Sequence, residues 1–230
     1  GADWIAVSFV QRPEDVAEVK KVAAGRALVM AKIEKPQALT RLDEIIEISD
    51  GIMVARGDLA VEVGNAAVPA LQKKMIRMAR DMDKFVITAT QMLETMMESP
   101  TPKRAEVSDV ANAVFDGTDA VMLSGETAMG LYPVETVQMM RDIILAAECD
   151  PTCWRHHPPP EQPHVVVVDE MGRAVCDSAQ RINAAAIVVY TQNGQAALRV
   201  AANRPSVPIY AFSEFPETLR RLSWVWGVQT

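Results

Sequence analysis

Asp50-Gly51-Ile52-Met53-Val54-Ala55-Arg56-Gly57-Asp58-Leu59 is the stretch that decides the fold class. Ile52 to Ala55 is an unbroken apolar run, as in a strand buried on both faces. Charged residues and a glycine follow directly at its C-terminal end. The same grammar repeats on either side. Strands are predicted over 4–10, 27–34, 51–57, 85–91 and 119–124. Between them lie amphipathic stretches at 13–24, 36–48, 68–83 and 104–115, and 133–147 supplies a further helix after the last. Leu71, Met75, Met78 and Met82 keep one helix face apolar, and Pro133 suits the first turn of its helix. Strand–helix alternation with strands buried on both sides implies a parallel α/β sheet.

Four successive strands each end in a polar side chain: Glu34, Asp58, Thr90 and Ser124. Residues converging from many strand ends on one face is the arrangement of a (β/α)8 barrel. The predicted fold is therefore α/β: a partial (β/α)8 barrel, comprising its last five βα units and leaving open sheet edges, followed by a truncated small α/β domain. The expected division is residues 1–148 for the half barrel, 149–163 for a proline-rich linker and 164–230 for the second domain. There, 186–191 and 208–213 read as strands and 194–203 and 216–226 as helices, with no convincing third strand. Residues 165–168 fit a strand, an extended linker or a helix start.

Bulk properties remove several function classes. A net charge of −7 disfavours nonspecific binding to nucleic acid or anionic membranes. No apolar run reaches the roughly 18–20 residues of a membrane span. There is no signal-peptide pattern, although a start at Gly1 allows a processed or cut beginning. Three sparse cysteines, Cys149, Cys153 and Cys176, suit a reduced, cytoplasmic setting. Cys149, Cys153, His156 and His157 imitate a zinc cluster only superficially, because their spacing fits no standard pattern and the context is a linker. Trp224 and Trp226 are expected to pack the small domain or a part beyond it.

The strand ends carry the chemistry. Lys32 and Glu34 are two residues apart and so point the same way along a strand; they form either a functional pair or a structural ion pair. Glu34 and Asp58 give two hard oxygen ligands suited to Mg2+ or Mn2+, and the alternative for Asp58 is a plain helix cap. Gly57 allows close approach of a ligand to the backbone. If a short helix begins at Asp58, its first N–H groups favour an anion. Thr88 and Thr90 share a face by alternation, and a strand-end hydroxyl can bind a carboxylate or pass a proton, though threonine is also an ordinary strand residue. Ser124 and Glu126 would close the far side, with capping as the simpler role for Ser124.

These residues sit within strings that closely resemble pyruvate kinases: Ala6-Val7-Ser8-Phe9-Val10, Lys32-Ile33-Glu34, the segment 51–59, Ala89-Thr90-Gln91-Met92-Leu93, the segment 104–114 and the segment 116–128. The resemblance is strong to about residue 147 and weaker beyond. It implies transfer of the phosphoryl group of phosphoenolpyruvate to ADP, giving ATP and, after protonation of the enolate, pyruvate, as in glycolysis. It also implies a cytoplasmic homo-oligomer, a tetramer in the family. On that basis Lys32 would offset charge on the transferring phosphoryl group, and Glu34 and Asp58 would hold Mg2+ or Mn2+. The N–H groups of Gly57 and Asp58, with the Thr90 hydroxyl, would bind the substrate carboxylate. Thr90, Ser124 and Glu126 would form the proton path, and Arg56 would support the loop or a subunit contact.

The family's first three strands and its lid domain have no counterpart here. With them go an arginine on the phosphoryl group, the K+ ligands and much of the nucleotide site, so the chain alone is expected to be inactive or nearly so. Ala60 replaces a family glycine and would be strained if φ there is positive. Thr191, Asn193 and Gly194 stand where the family carries a phosphate-holding effector loop, but its hydroxyls are largely replaced; a plain strand–turn–helix junction is the alternative. The competing enzyme class is a metal-dependent C–C lyase or aldolase acting on pyruvate-like enolates. Lys32, Ala89-Thr90-Gln91 and Ser124-Gly125-Glu126 favour phosphoryl transfer. The competing non-enzymatic reading is a fragment that binds another chain of the same family.

Overall fold

The computed structural model describes residues 1–150 and 167–230. The predicted linker from residue 151 onward, Cys153, His156, His157 and Val165 lie outside the described residues.

The first 150 residues alternate strand and helix: β1 (Trp4–Val7), α1 (Pro13–Ala23), β2 (Leu28–Ile33), α2 (Pro36–Thr40), α3 (Leu42–Ile48), β3 (Gly51–Ala55), α4 (Arg56–Val63), α5 (Val68–Asp81), β4 (Phe85–Ala89), a 3-10 turn (Glu94–Met97), α6 (Arg104–Asp116), β5 (Ala120–Met122), α7 (Gly125–Ala128) and α8 (Pro133–Glu148). The five strands pair in parallel in the order β1-β2-β3-β4-β5. A doubly wound sheet reverses its order at a switch point; this one advances one strand at a time, as a barrel wall does.

Side-chain alternation divides the sheet into two layers. Val29, Ala31, Ile33, Ile52, Val54 and Val86 face the helices and bury with Val16, Ile45, Ile46, Met75 and Ile76. Leu71, Met78 and Met82 complete that layer, as the spacing along α5 predicts. Met30, Met53, Ala55, Phe85, Ile87 and Ala89 take the inner face. A Cβ on Gly51 would sit 2.8 Å from the Phe85 carbonyl, so only glycine lets β3 and β4 begin this close together.

The second unit contains α9 (Val167–Arg181), β6 (Ile187–Tyr190), α10 (Gln195–Ala202), β7 (Ile209–Phe212), α11 (Pro216–Leu222) and β8 (Val228–Gln229). A third strand is present, contrary to expectation: β8 adds in parallel to β7, pairing Val228 with Ile209. Two residues next to Gly227, which has φ of 70°, leave no alternation to read. Val167, within the undecided segment, opens a helix.

Other boundaries also differ from the sequence reading. The expected strands end one to three residues early, because Phe9 and Thr90 turn left-handed and Arg56 already starts a helix. The single helix expected over 36–48 breaks at Arg41, whose φ of −128° and ψ of 36° leave the helical region. Ala60 lies inside α4 and is absent from the positive-φ residues, so no strain attaches to it. Trp224 and Trp226 do not pack within the second unit alone. Trp224 stacks on Trp4 at 6.1 Å and 10°, against the inner face of the first sheet, and Trp226 Nε1 donates to Glu148 at 2.8 Å.

Candidate active site

The C-terminal ends of the first five strands lie side by side, because parallel register places Ile33 opposite Val54 and Ala55 opposite Ala89. Lys32 projects from the inner face of β2, and Glu34 follows one residue past its end. Their charged groups meet, with Lys32 Nζ 2.5 Å from Glu34 Oε1, and Lys32 also donates to Ser8 Oγ at 2.9 Å. Glu34 is 1% exposed. Its Oε2 accepts the Phe9 N–H at 3.0 Å, whereas Oε1 has only the lysine ion pair and accepts no well-directed hydrogen bond. The Lys32 ammonium offsets the charge of this buried carboxylate, and Oε1 keeps room for a further ligand on its other side.

Asp58 is the third residue of α4, not its cap; Ala55 occupies the cap position. The helix therefore begins two residues before the expected Asp58 start. Asp58 is exposed and free to face a ligand. It shares an electrostatic neighbourhood with Glu34: the exposed Lys35 ammonium is held above its ordinary pKa by the Glu62 hydrogen bond first, with the Glu34 and Asp58 charges adding to it. Among the described residues no three His, Cys, Asp or Glu side chains converge on one point. Glu34 and Asp58 could serve a hard cation, which would take water or substrate for the rest of its shell.

Thr88 and Thr90 do not share a face. Thr88 is fully buried in the sheet and bonded to Thr118 Oγ1 at 3.1 Å. Thr90 lies one residue past β4 with φ of 73°, and Gln91 follows at 53°. A β-branched residue at positive φ costs on the order of 1–3 kcal/mol and survives only where its surroundings impose it. That conformation brings Thr90 Oγ1 to 2.8 Å from the Gly57 nitrogen. The Gly57 N–H, expected to be open to substrate, is thus directed at Thr90. Having accepted it, the threonine hydroxyl keeps its own proton to donate outward.

Ser124 takes the cap position of α7 but makes no side-chain cap bond, so the simpler reading of its hydroxyl does not hold. Glu126 is 3% exposed and turned inward, accepting the Ser124 N–H at 2.8 Å and the Leu93 N–H at 3.3 Å. It ties the β5 end to the segment after β4. In the second unit, Thr191 Oγ1 accepts the Gly194 N–H at 3.0 Å, and Asn193 Oδ1 accepts the Gln195 N–H at 3.2 Å. That loop closes on itself and spends two of the amides a phosphate would need.

Sequence reasoning passed over Ser8 and the Phe9 amide as site groups. Ser8 follows the end of β1, so the strand-end rule that selected Glu34 and Thr90 would have found it. The Phe9 amide carries no sequence signal; it reaches Glu34 because Phe9 has φ of 60°.

A parallel, singly wound sheet with a lysine, two carboxylates and a hydroxyl at adjoining strand ends defines a barrel-type α/β segment. Comparison with known proteins makes this specific. Residues 1–137 match the pyruvate kinase barrel domain and residues 169–230 the pyruvate kinase alpha/beta domain. The chain is 56% identical to a pyruvate kinase of Methylorubrum extorquens over 99% of its own length and 48% of that protein. It is 46% identical to a pyruvate kinase of Geobacillus stearothermophilus, over 100% of this chain and 40% of that one. The chain belongs to the pyruvate kinase family, and it spans about half the length of the curated relatives it matches. The lyase reading finds no support among these relatives. No helix among the described residues is long and apolar enough to cross a membrane.

Proposed function

We propose that the protein to which this chain contributes moves the phosphoryl group of phosphoenolpyruvate to ADP, yielding pyruvate and ATP. The observation that carries the reading is the Lys32–Glu34 contact at the mouth, with the Thr90 hydroxyl presented two strands away. In the reaction, the bond from phosphorus to the enol oxygen breaks, a bond to the terminal oxygen of ADP forms, and the enolate takes a proton at carbon.

Lys32 supplies a fixed ammonium for charge on the transferring phosphoryl oxygens. Glu34 and Asp58 would hold Mg2+ or Mn2+, and Glu34 Oε1, which faces the Lys32 ammonium but accepts no directed hydrogen bond, fits that assignment. A divalent ion bound there offsets negative charge on the phosphoryl group. Thr90 donates to the substrate carboxylate, and the first turn of α4 adds backbone amides. Thr90, Ser124 and Glu126 border the route by which the enolate is protonated, with Glu126 fixing the Ser124 backbone. A monovalent K+, a homotetramer and a cytoplasmic setting extend the family resemblance; no residue of this chain is assigned to them.

The test follows pyruvate formation from phosphoenolpyruvate and ADP by coupled NADH oxidation, using the longer protein that carries this chain. Lys32→Met is expected to lower kcat by about 10²–10³-fold. Cleavage of oxaloacetate without ATP formation, or a Lys32→Met enzyme with unchanged kcat, would sink the reading. The 230-residue chain assayed alone should give near-background rates.

A further inference from the structure

One buried group beside the site has no part in the chemistry above. Arg56 is the first residue of α4, is 8% exposed and spreads its guanidinium over three segments. Nη1 pairs with Asp109 of α6 at 2.7–2.8 Å and reaches Gln72 Oε1 of α5 at 3.4 Å. Nη2 donates to the Thr90 carbonyl at 2.7 Å, with the Gln91 carbonyl at 3.3 Å and Met92 Sδ at 2.7 Å. The anchoring continues outward: Gln72 Nε2 donates to Asp116 at 3.1 Å, and Asp116 pairs with Lys73.

Among the described residues, Thr90 and Gln91 are the one pair of consecutive non-glycine residues at positive φ. Left to local preference, both would return to the β region, and the Thr90 hydroxyl would swing away from Gly57. Arg56 grips the carbonyls of these two residues, while its neighbour Gly57 holds the Thr90 side chain. One dipeptide therefore secures both ends of the strained residue. A fork with several donors in one plane can hold two carbonyls and a carboxylate together, and a lysine ammonium cannot reproduce that geometry.

We propose that Arg56, anchored by Asp109, is a positioning residue that acts through Thr90: it enforces the left-handed backbone that presents the Thr90 hydroxyl to the substrate carboxylate. The inference rests on the functional reading above, in which Thr90 meets substrate. It differs from a merely stabilising ion pair in one respect, which is that its effect must vanish when the Thr90 hydroxyl is gone.

The experiment is a double-mutant cycle in the longer protein, with Arg56→Lys, Thr90→Val and the pair. Arg56→Lys is expected to lower kcat by about 10–100-fold with a smaller change in KM for phosphoenolpyruvate, and to add nothing on top of Thr90→Val. Hydrogen exchange at the Gly57 amide gives a readout independent of turnover. It should quicken by about tenfold in Arg56→Lys, as it should in Thr90→Val. Asp109→Asn, which keeps the side-chain shape, should reproduce a milder form of both effects and serves if Arg56→Lys fails to fold. Multiplicative losses in the double variant, or Gly57 exchange unchanged by Arg56→Lys, would overturn the proposal. A wild-type protein that forms no pyruvate would instead remove the functional reading, and Gly57 exchange would still decide whether Arg56 positions Thr90.

Discussion

Glu34 shows how much one residue carries. Burial makes its charge expensive, and the partners that offset the cost, Lys32 and the Phe9 amide, leave Oε1 without a directed donor. Glu34→Gln keeps the shape and the Phe9 contact but removes the charge. Mn2+ affinity, read by paramagnetic resonance titration, is expected to fall at least about tenfold and kcat by about 10²–10³-fold. Unchanged Mn2+ affinity would remove Glu34 from the metal set. The sequence exposed this pair because strand alternation holds across residues 32 and 34. It misplaced Thr88 and Thr90 because alternation ends where φ changes sign. A local sequence pattern cannot announce that reversal when the residue is threonine and its enforcing partner, Arg56, lies 34 positions away.

At the level of elements, the site depends on helix ends more than on strands. Helix α6 carries Asp109, and its start is fixed by Glu106, which accepts the Lys103 N–H at 2.8 Å and the Thr95 N–H at 2.7 Å. Burial opposes the charged form, yet those backbone donors together hold the Glu106 carboxyl below its ordinary value. A carboxyl depressed in the folded state stabilises fully above its unfolded pKa and loses that contribution as pH falls through the folded one. Wild type and Glu106→Gln should therefore differ in Tm by a constant amount from pH 7 to about 5, and the gap should close below about pH 4. A gap that does not narrow as pH falls below about 4 would assign the effect to shape, not charge. Helices α5, α6 and α8 were legible from apolar spacing and a flanking proline or glycine. The break at Arg41, the early start of α4 and the two-residue β8 were not, since each depends on contacts made only after packing.

Across the whole molecule, the two sheets are joined by a buried polar clamp set among apolar groups. Arg204 pairs with Asp119 at 2.8 Å, with the two side chains 3% and 6% exposed. It also donates to the Gly117 carbonyl at 2.5 Å and lies 5.0 Å from the Trp226 ring. Asp119 in turn accepts the Val86 N–H at 2.9 Å, so one carboxylate serves the edge of the first sheet and the second unit together. Nearby, Trp4, Met30, Met53, Ile87 and Trp224 line a cavity of about 640 Å³ that none of the proposed catalytic side chains reaches. A wall that borders an open hollow makes fewer contacts than a filled one, which throws more of the attachment onto Arg204. Removing one member of a buried pair costs about 3–5 kcal/mol, because the other charge is left uncompensated. Arg204→Met should thus lower the calorimetric Tm by on the order of 10 °C. Asp119→Asn should cost less, since an amide oxygen can still accept the Val86 N–H. The double variant should recover part of the loss, because neither member of the Arg204–Asp119 pair is then left charged without the other. A Tm for Arg204→Met within about 1 °C of wild type would mean that the Trp224–Trp4 contact, and not the clamp, joins the two sheets.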